Sequence, residues 1–150
     1  MTHIIVFNLL LVAACGYAFV AGGAPERLTA AVFLVAAAAT YVAPYRQFRE
    51  WEIALFAIDV ATLVALAAIA ARADRFWPLY VSALQLLTLG IHGVKAYQPA
   101  LVHWMYGGAS GKIAYPMLAL LAVGVLRHRR RLTQHGSDPD WSLRTDRPAP

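Results

Sequence analysis

Apolar runs long enough to cross a membrane follow one another along most of the chain, and charged residues are confined to short stretches between them. Hydrophobic residues make up 60% of the sequence and charged residues 14%, whereas a soluble domain is usually about 45–50% apolar and about 25% charged. A helix needs about 20 apolar residues to cross the hydrocarbon core of a bilayer. The sequence therefore predicts an integral membrane protein without a separate soluble domain.

We predict an all-α membrane bundle of five transmembrane helices, with four spans as the alternative. The predicted spans cover about 3–22, 28–45, 51–71 and 76–97, with a fifth inside the apolar region 99–126. That fifth region is longer than one span needs. It is either an entry segment followed by a span over 113–126 or one long kinked helix. The bundle is assigned to residues 1–132, and the polar residues 133–150 are predicted to form a disordered basic tail.

The positions of the basic residues favour an N-terminus outside and a C-terminus in the cytoplasm, because cytoplasmic loops carry an excess of Lys and Arg. The cytoplasmic side would then hold Arg27, Arg72, Arg75 and the basic run 127–131, and the outer loops Arg46, Arg49 and Lys95. The first hairpin weakens this choice, since Arg46 and Arg49 oppose it. A basic run directly after an apolar helix is typical of the cytoplasmic end of a span, so no nucleic-acid partner is predicted.

A polar seam runs along the predicted fourth helix. Gln85, Thr88, His92 and Lys95 are three, four and three residues apart, and this spacing places them on one helical face. The other faces of the helix are apolar. Polar side chains are costly against lipid, so the seam is expected to face protein or water.

Asp59 is an acid about eight residues inside the third span, roughly 12 Å deep at about 1.5 Å per residue. Such an acid costs about 2.5–3.5 kcal/mol on insertion unless it is paired or neutral. In the favoured orientation His92 and Lys95 lie in the same half of the membrane, and Lys112 joins them if the fifth region enters as a helix. We therefore predict an intramembrane polar cluster of Asp59, His92, Lys95 and Lys112.

Two interpretations of this cluster stay open. It is either an internal ion pair that fixes helix register or a proton relay between an acid and an imidazole that titrates near neutrality. We favour the structural interpretation, because one acid and one seam are enough for packing. Gln85 and Thr88 are expected to lie deeper, out of reach of Asp59, as hydrogen-bonding residues between packed helices.

The remaining motifs predict no catalytic residue, metal or cofactor. The segment 12–16 resembles a lipoprotein cleavage site at Cys15, but no Lys or Arg precedes the apolar run and the run continues past it. A buried cysteine is expected, with lipidation as the alternative. The segment 107–112 lacks the first glycine and the final Ser or Thr of a phosphate-binding loop. His92 and His103 could bind a haem iron only if they lay at the same depth in the membrane, and nothing in the sequence places them at the same depth.

Several segments resemble a group of small multi-pass inner-membrane proteins of alphaproteobacteria. They are ADRFWPL (73–79), LQLLT (84–88) with His92 beyond it, Tyr115-Pro116 and RHRRRL (127–132). The resemblance covers most of the chain and is strongest in its second half. It implies a helical protein of the bacterial inner membrane and brings no catalytic residue and no ligand.

Our leading functional hypothesis is a small non-enzymatic membrane protein, either structural or an accessory subunit of a larger complex. Short loops, the lack of a catalytic motif and Ala- and Gly-rich helix faces favour it. Its expected partners are the lipid bilayer and either a larger membrane complex or further copies of the chain. The alternative is a small proton-coupled transporter or ion carrier that uses Asp59 and His92, and a membrane enzyme ranks third.

Overall fold

Five α-helices make up most of the described chain: α1 Thr2–Ala21, α2 Ala24–Val42, α3 Phe48–Arg72, α4 Trp77–Tyr97 and α5 His103–His135. The computed structural model describes residues 2–43, 48–97 and 103–141, with side-chain surroundings for 3–43, 53–94 and 112–141. Within these ranges no strand is present, and the one β-type contact is an isolated bridge between Ala73 and Trp141. The all-α prediction is confirmed.

The turn between α1 and α2 is tight because two glycines form it. The Gly22 amide still donates to the carbonyl of Ala18 at 2.9 Å. A Cβ on Gly22 would lie 2.5 Å from that carbonyl oxygen and 2.7 Å from Glu26 Cβ. Pro25 lies in the first turn of α2, where its missing N–H costs nothing.

The helices form a closed ring in which each one packs against its neighbours in sequence and α5 returns to α1. Helices α2 and α5 also touch across the ring. The buried apolar core lies between them and consists of Leu11, Cys15, Ala18, Ala30, Phe33, Leu66, Trp77, Val81, Met117, Leu118, Leu121 and Val125. Cys15 is 1% exposed and faces the Ala30 carbonyl at 3.7 Å. Its position agrees with the expected buried cysteine.

Helix α5 is one continuous helix with Pro116 inside it, which favours the single long helix over a separate entry segment. It ends at His135, and Gly136 follows with a φ of +72°, the left-handed conformation that commonly terminates a helix. The Gly136 amide donates to the Leu132 carbonyl at 3.0 Å. The chain then turns back, so that Trp141 reaches Ala73.

This course differs from the predicted disordered tail over 133–150. Residues 133–135 extend α5, and Asp138 and Asp140 pair with Arg75. Ion pairs with Arg75 therefore hold Asp138 and Asp140 in place, although the hydropathy pattern predicts that these residues are solvated. Residues 142–150 lie outside the described part of the chain.

The outer surface of the bundle is unusually apolar. Among the described residues, 25 large hydrophobic side chains are exposed, whereas 14 hydrophobic residues are buried. By length and composition, the helical stretches His3–Ala21 and Ile53–Arg72 could each cross a membrane, and only 17% of each is buried. A core helix of a soluble protein would be mostly buried. The apolar surface therefore supports a membrane location for these two helices.

Gly124 on α5 provides a test of this packing, because a Cβ there would lie 2.8–3.0 Å from the indole ring of Trp77. We expect Gly124→Ala to lower the free energy of unfolding by about 1–3 kcal/mol through overpacking. Gly90→Ala on α4 is the matched control, since nothing lies within 4 Å of its added Cβ. Thermal unfolding in detergent should separate the two variants, and equal stabilities would contradict this packing.

Candidate functional site

The first polar site lies between α3 and α4 and is centred on Asp59. Its Oδ2 is 3.0 Å from His92 Nε2, and its Oδ1 accepts a hydrogen bond from Gln85 Nε2 at 2.9 Å. The Asp59 and His92 side chains are 25% and 21% exposed. Phe56 packs edge-to-face on the His92 ring, with ring centroids 6.3 Å apart. The site is thus an acid, an amide and an imidazole within one helix pair.

The structure brings Asp59 and His92 together as the helical spacing predicted. Gln85 makes the expected hydrogen bond between packed helices, but its partner is Asp59, which we expected to be out of its reach. Its amide also donates to the main-chain carbonyl of Asp59 at 3.2 Å. Gln85 and His92 are two helical turns apart on α4, about 10 Å along the axis. Asp59 lies between them and contacts both, because each carboxylate oxygen contacts a different neighbour. A depth estimate by residue counting does not include the reach of a Gln side chain.

The other predicted members are placed differently. The Thr88 hydroxyl donates to the Leu84 carbonyl of its own helix at 3.2 Å, so it makes a local contact. Lys112 is exposed on α5, a helix that packs mainly against α1, α2 and α4. The structure therefore supplies no described contact that joins Lys112 to Asp59. The side chains of Lys95 and His103 lie outside the described set.

A second site, which the sequence did not predict, lies where the α1–α2 turn, the α3–α4 turn and the end of α5 meet. We call it the Arg75 cluster, and it consists of Arg75, Glu26, His128, Asp138 and Asp140. The Arg75 guanidinium pairs with Glu26 Oε1, with Asp138 Oδ2 at 2.8 Å and with Asp140 Oδ1 at 3.1 Å. The side chains of Arg75, Glu26 and Asp138 are 5%, 0% and 2% exposed. A single buried cation thus connects three separate parts of the chain.

Further contacts hold the members of the Arg75 cluster in place. The Trp77 indole N–H donates to Glu26 Oε1 at 3.2 Å, so one carboxylate oxygen serves two donors. His128 Nδ1 lies 2.7 Å from Asp138 Oδ2 and 3.0 Å from Arg75 Nη2. Because the ionised carboxylate of Asp138 can only accept and is the nearer neighbour, we assign an N–H to Nδ1 that donates to Asp138, and Arg75 Nη2 then lies beside this nitrogen without donating to it. In this tautomer of the imidazole, the lone pair that could accept a hydrogen bond or bind a cation is on Nε2.

The charge of Asp138 is stabilised by its neighbours. Burial alone would raise the pKa of this carboxyl group, but the His128 hydrogen bond and the Arg75 and Arg131 charges outweigh it and lower the pKa below the ordinary value. Asp138 is therefore ionised at neutral pH, as its pairing with Arg75 requires. Arg131 reaches Asp138 Oδ1 at 3.4 Å from the solvent side.

The cluster escaped sequence reasoning because its members are far apart in the chain. Glu26 and Arg75 are 49 residues apart, and Arg75 and Asp138 are 63 apart. The sequence did contain one relevant signal. Asp138 and Asp140 follow the end of the last predicted span, and the predicted topology places this end on the same side of the membrane as the α3–α4 turn that contains Arg75. The hydropathy pattern placed these two acids in the solvent-exposed tail. Arg75 was used only as one of the basic residues that indicate the cytoplasmic side.

The fold and these two sites define a helical bundle with an apolar exterior, one polar helix pair and one buried ionic cluster. No family model, curated protein or solved structure matches the chain.

Proposed function

We propose that this protein is a multi-pass protein of the bacterial inner membrane in which all five helices cross the bilayer. Every helix carries exposed large apolar side chains, for example Leu9, Val35, Val64, Leu86 and Val123. Water-soluble monomers rarely expose apolar patches larger than a few hundred Å². Among the described residues, only the stretches His3–Ala21 of α1 and Ile53–Arg72 of α3 are apolar enough to cross a membrane by length and composition, but Glu26, Gln85 and His128 are buried in α2, α4 and α5. Their apolar outer faces stay available to lipid.

The Arg75 cluster also supports a cytoplasmic location for the end of the bundle that contains it. The ion pairs join the start of α2, the α3–α4 turn and the end of α5, so these parts lie at one end. The basic residues Arg27, Arg72, Arg75, Arg127, Arg129, Arg130 and Arg131 belong to this end. An excess of Arg and Lys marks the cytoplasmic side of membrane proteins. The N-terminus then lies outside and the C-terminus inside.

The function that we propose is that of a non-enzymatic structural or accessory subunit. The observation that carries this proposal is the partial exposure of the Asp59–His92 pair on an otherwise apolar α3–α4 surface. Asp59 is 13 positions before the end of α3 at Arg72, about 20 Å from that end along the helix axis and roughly 12 Å from the predicted outer end of the span. Lipid offers no hydrogen-bond partner at such depth. A helix of a larger membrane complex, or of a second copy, would cover the pair.

We expect the wild-type protein to purify in mild detergent with a larger partner or as an oligomer. Asp59→Asn keeps the size of the side chain but removes its charge, and should weaken this association by about 3- to 20-fold, since buried hydrogen bonds between membrane helices are worth about 0.6–1.7 kcal/mol. Asp74→Asn, in the exposed α3–α4 turn, is the matched control. Recovery of wild-type protein only as a monomer would contradict the accessory role.

A proton-coupled carrier is the second candidate, favoured by the 3.0 Å approach of Asp59 Oδ2 to His92 Nε2. An acid and an imidazole in contact can exchange a proton. This function predicts pH-gradient-dependent flux in liposomes that carry the wild-type protein. Asp59→Asn should abolish the flux while the helical circular-dichroism signal is kept. Wild-type liposomes without flux would eliminate the carrier and leave the accessory role standing.

A further inference from the structure

We propose that the Arg75 cluster binds a divalent transition-metal ion through Glu26, His128 and Asp140. One ligand atom from each of these residues lies within 4.8 Å of the other two. One imidazole and two carboxylates form a donor set suited to Zn²⁺ or Mn²⁺, whereas Mg²⁺ and Ca²⁺ prefer oxygen alone. This proposal does not depend on the accessory role.

Glu26 supplies the strongest argument for a ligand. Its side chain is fully buried, and its Oε1 accepts from Arg75 and Trp77. Its Oε2 is buried without a hydrogen-bond partner. A buried acceptor with no partner destabilises the fold, and more strongly when it is charged. A cation bound at Oε2 would remove this destabilisation.

Gly23 leaves the space into which the three proposed ligands face. A Cβ at this position would collide with Asp140 Oδ1 and would lie 3.0 Å from His128 Cε1 and 3.2 Å from Glu26 Oε2. The backbone of Gly23 is extended, with a φ of −77°, a conformation open to any residue. Glycine is therefore needed here for space and not for conformation. An open cleft lined by His128, Asp140 and the α1–α2 turn provides a route from solvent.

The arrangement of His128 also suits a metal ligand. Its Nδ1 hydrogen-bonds to Asp138, and metal-binding histidines usually donate their second ring N–H to a carboxylate or carbonyl. With the proton on Nδ1, the free lone pair of the imidazole is on Nε2, the nitrogen that would bind the metal. Asp138 would thus be a positioning residue that acts through His128.

The charge balance of the cluster points in the same direction. Three carboxylates, those of Glu26, Asp138 and Asp140, pair with the single guanidinium of Arg75. Arg131 contacts Asp138 alone, and its side chain is 45% exposed. The three carboxylates and the guanidinium together carry a net charge of −2, and a divalent ion would neutralise it.

The test is Zn²⁺ binding to the purified full chain in detergent after chelator treatment, measured by calorimetric titration and by metal content after dialysis. We expect one Zn²⁺ per chain, with at least about tenfold weaker binding in His128→Gln and Asp140→Asn. Asp138→Asn should weaken Zn²⁺ binding less than either ligand variant. The matched controls are His135→Gln and Asp74→Asn, exposed residues at the same end of the bundle, which should bind as the wild type does.

Asp140 keeps the test decisive if other variants unfold, because its side chain is 35% exposed and its loss should leave the helices intact. Absence of Zn²⁺ binding by the folded wild type would overturn the proposal. So would unchanged affinity in folded Asp140→Asn, or an equal loss of affinity in His135→Gln, which would indicate non-specific binding to surface histidines.

Discussion

Arg75→Ala is expected to lower the free energy of unfolding by about 3–5 kcal/mol, the largest effect of any single substitution considered for this chain. The guanidinium pairs with Glu26, Asp138 and Asp140, and the first two side chains are almost fully buried. Its removal leaves the fully buried Glu26 without a compensating cation and leaves Asp138 with only the half-exposed Arg131. The cost then comes from these uncompensated charges more than from the lost attraction.

Thermal or denaturant unfolding in detergent, monitored by circular dichroism, measures this effect. Arg129→Ala removes an exposed arginine from the same end of the bundle and should change stability by less than about 0.5 kcal/mol. Arg75→Lys should fall between the two, because an ammonium group does not reproduce the planar fork that serves several acceptors. If Arg75→Ala were as stable as Arg129→Ala, the Arg75 cluster would have no structural role.

Truncation after His135 is the second large expected effect. It removes Asp138 and Asp140 and leaves Arg75 with Glu26 and His128. Hydrogen bonds to charged groups are worth about 1.5–3 kcal/mol each, and Arg75 loses two, so we expect a loss of about 3 kcal/mol or more. Thermal unfolding of the truncated and full chains in the same detergent measures the difference.

A second truncation, after Trp141, is the control, because it keeps both aspartates and the bridge from Trp141 to Ala73. The pairing of the tail with Arg75 predicts that only the shorter chain loses stability. A disordered tail predicts the same stability for both truncations and for the full chain. That second outcome would remove the tail from the Arg75 cluster.

The positions of the helices could be predicted because apolar periodicity and length are local signals. The ends of α1, α3 and α4 fall within about three residues of the predicted spans, close to the usual uncertainty of such boundaries. The approach of His92 to Asp59 was also predictable, since adjacent helices joined by a short turn run antiparallel and residue counting matches their depths. The Gln85 contact was missed because side-chain reach and rotamer are not part of that count.

The Arg75 cluster could not be predicted for a different reason. Its energy depends on the simultaneous desolvation of Glu26, Arg75 and Asp138, which come from three separate turns or helix ends. Each of these residues, taken alone, is typical of a solvated loop. Only the packing of α2, α4 and α5 shows that the loops converge and that a charged tail segment completes the site.

Topology mapping tests the central claim most directly, namely that the five helices cross the membrane with the Arg75 cluster at the cytoplasmic end. Reporter domains would be fused after Ala43, after Asp74 and at the C-terminus. We predict an external reporter after Ala43 and cytoplasmic reporters at the other two positions. Three reporters on the same side of the membrane would contradict the five-span arrangement, and a cytoplasmic reporter after Ala43 with an external C-terminus would contradict the cytoplasmic location of the Arg75 cluster.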